Sequence, residues 1–117
     1  METSFTMAKQ YLGKKVKIEI DRPLGSRHPK YGFMYETNYG FVPNTKAPDG
    51  EELDAYYLGT EDSLMKAEGL CIAIIHRFND DDDKLVIVSE GTNLTDEEIK
   101  KAVNFQEQFF KSEIVRK

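Results

Sequence analysis

The stretch LCIAIIHRFNDDDDKLVIVSE, residues 70–90, decides how the chain reads. Its first half is almost wholly apolar and rich in β-branched residues, the pattern of a strand covered on both faces. NDDDDK, residues 79–84, is too charged for anything but a turn. KLVIVSE then returns as a second apolar strand, so the segment is a hairpin with an acidic tip.

The flanking sequence fits strands around that hairpin. KKVKIEID, residues 14–21, sets Val16, Ile18 and Ile20 on one face and charged residues on the other, as a half-buried strand does, and its polar face ends on Asp21. RPLGSRHPK, residues 22–30, carries two prolines and a Gly-Ser pair and reads as a loop. The aromatic YGFMYETNYGFVPNT, residues 31–45, predicts a bent strand interrupted at Gly40 and stopped at Pro43. LDAYYLG, residues 53–59, predicts another. Near the end, Thr95 and Glu98 form a capping box, and Ile99, Ala102, Val103, Phe105, Phe109 and Phe110 recur at helical spacing. Five strands and one C-terminal amphipathic helix predict a mainly β (α+β) fold, a small barrel. The chain reads as one domain over residues 1–117, with residues 1–13 a flexible or helical extension.

Composition bounds the function. The 117 residues are 39% hydrophobic and 32% charged, ordinary values for a globular domain with its own core. A formal net charge of −5 argues against a broad nucleic-acid footprint, which rests on clustered Lys and Arg. The opening METSFTMAKQYLGKK lacks the apolar core of a signal peptide, and no apolar run is long enough to span a membrane. The single cysteine, Cys71, has no partner for an internal disulfide and reads as a small core residue. A cytoplasmic protein with neither nucleic-acid nor membrane partners is the expectation.

Two acidic clusters stand out, PDGEELD at residues 48–54 and NDDDDK at 79–84. Each alone is more often a solvated turn, because aspartate bonds readily to nearby backbone. Together they place carboxylates beside the ends of neighbouring strands. Repelling carboxylates gathered at one point call for a cation, and oxygen-only donors select a hard ion such as Mg²⁺ or Mn²⁺. EF-hand spacing is absent. Lys30, Tyr35, Tyr39, Lys84 and Lys111 add the cations and phenols that hold phosphate oxygens. The chemistry points to a phosphoanhydride hydrolase.

These motifs have a family likeness. DGEELDAYYL resembles the D-G-D-P-L-D motif of the soluble family I inorganic pyrophosphatases, and YETNYGFVPNT is similar to their Y-P-x-N-Y-G-F-I-P-x-T stretch directly upstream. DRPLGSRHPKY is similar to E-I-P-x-G-S-x-x-K-Y, CIAIIHRFNDDDDKLV to a strand with a D-x-x-x-x-D-x-K loop, and FQEQFFK to a C-terminal helix ending in Tyr-Lys. The resemblance runs from about Val16 to Lys111. It implies a five-stranded OB-like barrel and Mg²⁺-dependent hydrolysis of pyrophosphate to two phosphates. Asp49, Asp54 and Asp82 match metal ligands, and Asp80, or Asn79 beside it, matches the other metal-binding loop position. Glu51 stands where the family has the Asp that takes a proton from the attacking water. Lys30, Tyr39, Lys84 and Lys111 match phosphate-binding groups, Tyr35 a site tyrosine, and Asp21 a site Glu.

The chain also departs from the pattern. Glu51 is one methylene longer than the Asp expected there, and Phe110 replaces a phosphate-binding Tyr. A hairpin carrying a phosphate-binding Arg is missing, and Arg22, Arg27 and Arg77 are equal candidates to replace it. Hydrolysis of another phosphoanhydride or phosphoester, or metal and phosphate binding without catalysis, are the alternatives. The family habit implies a homo-oligomer.

Overall fold

The computed structural model describes residues 3–117. Its elements run α1 (Ser4–Lys9), β1 (Lys15–Arg22), β2 (Asn38–Val42), β3 (Leu53–Tyr57), β4 (Lys66–Arg77), β5 (Lys84–Val88), α2 (Asp96–Glu107) and β6 (Ser112–Val115). The first five strands pair in the order β1-β2-β3-β5-β4, and β4 returns to β1, which closes a five-stranded barrel as the resemblance implied. Only β3 and β5 run parallel; the other pairings are antiparallel.

β4 makes closure possible because it is long enough to serve two partners. Residues 66–70 pair with β1, and residues 74–77 pair with β6. A bulge between Cys71 and Ala73 separates the halves and turns the strand between them. Gly40 and Gly69 are needed where strands come closest. A β-carbon on Gly40 would run into the carbonyl of Glu19, and one on Gly69 into that of Val88.

Two apolar layers explain the unbroken apolar runs in the sequence. Val16, Ile18 and Ile20 fill the barrel interior with Leu53, Ala55, Leu85 and Ile87. On the outer face α2 lays Ile99, Val103 and Phe105 over Tyr56, Ile75, Val86 and Val88. β3 and β5 are thus covered on both sides, and all five residues of β5 are buried. Burying a large aliphatic or aromatic side chain contributes about 1.5–3 kcal/mol, so these two layers dominate the stability. The capping box at Thr95 and Glu98 is formed as expected and starts α2.

Three boundaries differ from the sequence-based expectation. Residues 31–37 do not extend β2; they belong to a loop held by a single bridge between Arg27 and Met34, with Gly25 and Gly32 at positive φ. Their aromatic rings pack sideways against one another and α2 instead of alternating along a strand. α2 ends at Glu107, two residues before Phe109, and Phe109 and Phe110 are exposed. The chain then turns into β6, a short edge strand whose alternation is too brief to read from sequence.

The acidic tip of the hairpin has a structural task as well. Asp81 accepts a hydrogen bond from the Ser4 amide at 2.8 Å, and the Asp83 amide donates to Ser4 Oγ at 3.0 Å. Asp83 also meets His76 Nδ1 at 2.8 Å, and Phe5 stacks on the His76 ring at 4.0 Å. Two of the four tip aspartates therefore fasten α1 to the barrel. Among the described residues no helix is long and apolar enough to cross a membrane.

Candidate functional site

Of the remaining tip aspartates, Asp82 lines a cleft of about 810 Å³ beside α2. The parallel register of β3 and β5, with Ala55 opposite Leu85, brings Asp54 and Lys84 side by side at the strand starts. Lys84 is almost fully buried. Its Nζ lies 2.6 Å from Asp54 Oδ2 and 2.8 Å from Asp82 Oδ1, so one ammonium bridges the two acidic clusters.

Neighbouring strands supply the phenols. Tyr39 on β2 faces Tyr56 on β3, their rings 4.9 Å apart in an edge contact, and the Tyr39 hydroxyl reaches the Asp54 carboxylate. Burial holds the Tyr39 phenol well above its ordinary pKa, and the nearby Asp54 charge pushes it further. Burial also raises the Asp54 carboxyl, because the pull of Lys84 does not fully offset the loss of solvent. Tyr35 stacks beside Tyr39 at 5.6 Å, and its hydroxyl meets Gln106 Oε1 at 3.0 Å.

A bulge in β1 adds a third pair. Ile20 opposes Gly40 and Arg22 opposes Tyr39, which leaves Asp21 as the extra residue. Asp21 and Arg22 consequently both line the cleft.

Arg77 was one of three candidate arginines in the sequence, whereas Gln106 and Glu107 were not singled out from it. Arg77, at the end of β4, makes a bidentate pair with Glu107, Nε to Oε1 at 2.9 Å and Nη2 to Oε2 at 2.8 Å. Burial opposes the Arg77 charge, but the Glu107 bonds outweigh it and hold the guanidinium ionised more firmly than usual. Arg77 also approaches Asp80 and Asp82 at 3.4 and 3.6 Å and lies over the Phe110 ring at 3.7 Å. Glu107 accepts from the Tyr56 hydroxyl at 2.6 Å, and Gln106 Nε2 donates to the same oxygen at 2.7 Å. No sequence signal marked Gln106 or Glu107, which stand in the polar run NFQEQ at residues 104–108. Of the three candidate arginines, Arg22 and Arg77 line the cleft, while Arg27 donates to the Gly32 carbonyl elsewhere.

The sequence-predicted site residues divide accordingly. Asp21, Tyr35, Tyr39, Asp54, Asp82 and Lys84 come together in the cleft. Asp80 sits at its edge through Arg77. Asp49 and Glu51 lie exposed on a turn closed by Ala47 and Gly50, where Asp49 accepts from the Glu51 amide at 2.9 Å. Lys30 stands over the Tyr31 ring, and Lys111 is exposed beyond α2 with its carbonyl bonded to the Phe78 amide. Neither Asp49, Glu51, Lys30 nor Lys111 faces the cleft in this conformation.

The donor chemistry bears on a metal. Among the described residues, no group of three or more His, Cys, Asp or Glu side chains is arranged to hold an ion. Asp54 and Asp82 nevertheless converge on one point, presently filled by the Lys84 ammonium. Mg²⁺ is commonly held by only one or two carboxylates, with water and substrate phosphate completing its shell. Two converging carboxylates fit an ion of that kind, but not a cage assembled by protein alone.

Comparison with known proteins agrees with this picture. The model of the inorganic pyrophosphatase family matches residues 9–115. Soluble inorganic pyrophosphatase 2 of Chlamydomonas reinhardtii is 33% identical over 84 residues, covering 65% of this chain and 44% of that protein. Inorganic pyrophosphatase 2 of Pseudomonas syringae pv. tomato is 42% identical over 43 residues, covering 33% of this chain and 24% of that protein. The chain thus spans less than half the length of these curated relatives. In fold it is similar to the inorganic pyrophosphatase of Helicobacter pylori, with a TM-score of 0.70 at 18% identity over all of this chain and 89% of the other. The Ehrlichia chaffeensis enzyme gives 0.69 at 16% identity over 90% and 87%. A family match over residues 9–115, nearly the whole chain, shows that the chain belongs to the inorganic pyrophosphatase family.

Proposed function

We propose that the protein hydrolyses inorganic pyrophosphate to two phosphates in the presence of Mg²⁺, in the cytoplasm and as a homo-oligomer. The observation that carries this reading is the Lys84 ammonium held between Asp54 and Asp82 within the cleft. The charges lining it are balanced, with Arg22, Arg77 and Lys84 against Asp21, Asp54 and Asp82, and Glu107 behind Arg77 adds one more negative charge. A pyrophosphate anion entering alone would meet no net positive field. It enters favourably with a divalent cation, whose charge the carboxylates accept.

Asp54 and Asp82 would hold that ion. When bound, Mg²⁺ neutralises phosphate oxygens and lowers the pKa of water from about 15.7 towards 7. The chain's own residues do the rest. Lys84, almost fully buried between the two carboxylates that would hold the ion, donates to phosphate oxygens from a position where its charge is strongly felt. Arg22 offers a planar fork at the mouth, and its proximity to Tyr35 fixes where that fork lies. The Tyr39 phenol, kept neutral by burial, remains a donor at any physiological pH. Arg77 is committed to Glu107 and holds Asp80 and Asp82 in place. Glu51 takes the proton of the attacking water when its turn closes over the cleft, bringing Asp49 with it; Lys30 and Lys111 act on substrate from the margins.

Phosphate release from pyrophosphate, with and without Mg²⁺, tests the reading against an Asp54→Asn control. Release that is no faster for the native chain than for the control would sink it.

A further inference from the structure

The cleft is lined by two chemically different groups of residues, one charged and one aromatic. Besides Asp54, Asp82 and Lys84, its wall includes the rings of His28, Tyr31, Phe33 and Phe109. These rings form a connected group. The His28 centroid lies 4.8 Å from Tyr31 and 5.0 Å from Phe33, and Phe33 lies 6.3 Å from Phe109. His28 is locked in orientation, because its Nδ1 accepts from the amides of Lys30 and Tyr31, both at 3.1 Å.

The ring group is also open. Tyr31 is 69% exposed and Phe109 66% exposed, although neither is needed by the core. Exposed rings gathered along one cleft wall offer apolar surface to a ligand. A cleft of about 810 Å³ is in the usual range for a drug-sized ligand, roughly 300–1,000 Å³, and far exceeds what a small inorganic anion occupies. Flat aromatic faces next to cationic groups are how proteins hold the bases of nucleotides beside their phosphates, and each stacked base is worth about five- to 150-fold in affinity.

We propose that the cleft binds nucleoside diphosphates, with the diphosphate at Lys84 and Arg22 and the base on the rings of Tyr31 and Phe109. This rests on the reading of the Asp54, Asp82 and Lys84 group as a diphosphate site and extends it to the class of molecule that carries the diphosphate.

Calorimetric titration of the whole chain in Mg²⁺ tests it with two unreactive ligands, the α,β-methylene analogue of ADP and methylenediphosphonate, the same bridged diphosphate without nucleoside. The nucleotide analogue is expected to bind at least tenfold more tightly. In the Tyr31→Ala, Phe109→Ala double variant that advantage disappears, while methylenediphosphonate binds within about twofold of its original affinity. Both side chains are exposed, and an unchanged circular dichroism spectrum verifies the variant's fold. Equal binding of the two ligands by the native chain, or an advantage that survives in the variant, overturns the nucleotide proposal alone. Failure of both ligands to bind overturns it together with the diphosphate reading.

Discussion

Arg77 and Glu107 form a bidentate ion pair across β4 and the last turn of α2, with both side chains about 95% buried. The pair is the hinge of the outer face, since Glu107 also takes the Tyr56 hydroxyl and Arg77 also reaches Asp82. Removing Glu107 would leave the buried Arg77 charge with only the longer approaches of Asp80 and Asp82, and breaking a buried pair in this way costs about 3–5 kcal/mol. Glu107→Gln should therefore lower the unfolding free energy by about 3 kcal/mol or more in denaturant titration. A loss under about 1 kcal/mol would mean that water reaches the pair and screens it.

The buried phenols make stability sensitive to alkali. Burial sets Tyr39 and Tyr56 well above the ordinary phenol value, and the charges of Asp54 and Glu107 respectively push them further. Their neutral forms are thus favoured by folding. That contribution is whole below the ordinary pKa of about 10 and is lost as pH rises through the higher folded values. Unfolding free energy should fall steadily above about pH 10. Tyr56→Phe should flatten the decline while costing about 1–3 kcal/mol at neutral pH, because Glu107 then lacks a hydrogen bond. An alkaline slope unchanged in Tyr56→Phe would contradict this assignment.

How far the sequence was legible follows from the range of the interactions involved. Period-two alternation revealed β1, and the apolar runs of β4 and β5 revealed the hairpin, because burial of a strand face is written in neighbouring residues. The capping box revealed the start of α2 for the same reason. The aromatic run at residues 31–37 misled, since ring packing and strand alternation draw on the same residue types and only the fold chooses between them. At the site, Asp54, Asp82 and Lys84 could be recognised as a set from motif order. Their meeting depends on the parallel β3–β5 register, which pairs residues thirty positions apart. Glu107 was hidden, and Arg77 could not be chosen from among the three candidate arginines, for the same physical reason: each looks like an ordinary surface charge until the tertiary fold removes its solvent.

Two glycines should resist substitution for different reasons. Gly40→Ala places a methyl against the Glu19 carbonyl where β1 and β2 pair, and that backbone cannot retreat without breaking their pairing. A loss of about 3 kcal/mol is expected. Gly50 has open space around it but a φ of +89°, so Gly50→Ala should cost only about 1–2 kcal/mol through backbone strain. Thermal unfolding of the two variants distinguishes them, and equal losses would refute the close approach at Gly40.

Cys71 should be chemically silent in the native state. It is completely buried in the barrel interior, and burial lifts its thiol to about 11 despite the backbone contacts that act the other way. The thiolate is the reactive form, so alkylation at neutral pH has to await opening of the barrel. Labelling should track global unfolding as denaturant is raised. Fast labelling under native conditions would show that β4 opens locally.

Glu51 poses the sharpest question about the chemistry, because its turn leaves it exposed while the cleft assembles without it. If the turn closes on bound substrate, Glu51→Gln removes the proton acceptor, and general-base catalysis is worth about 10²–10⁴-fold. The expected outcome is a fall of at least about a hundredfold in kcat for pyrophosphate with KM little changed. Thermal stability should not move, since an exposed turn carboxylate with no ion pair contributes little to folding. An undiminished kcat would remove Glu51 from the mechanism and leave the water's proton to a group already facing the cleft.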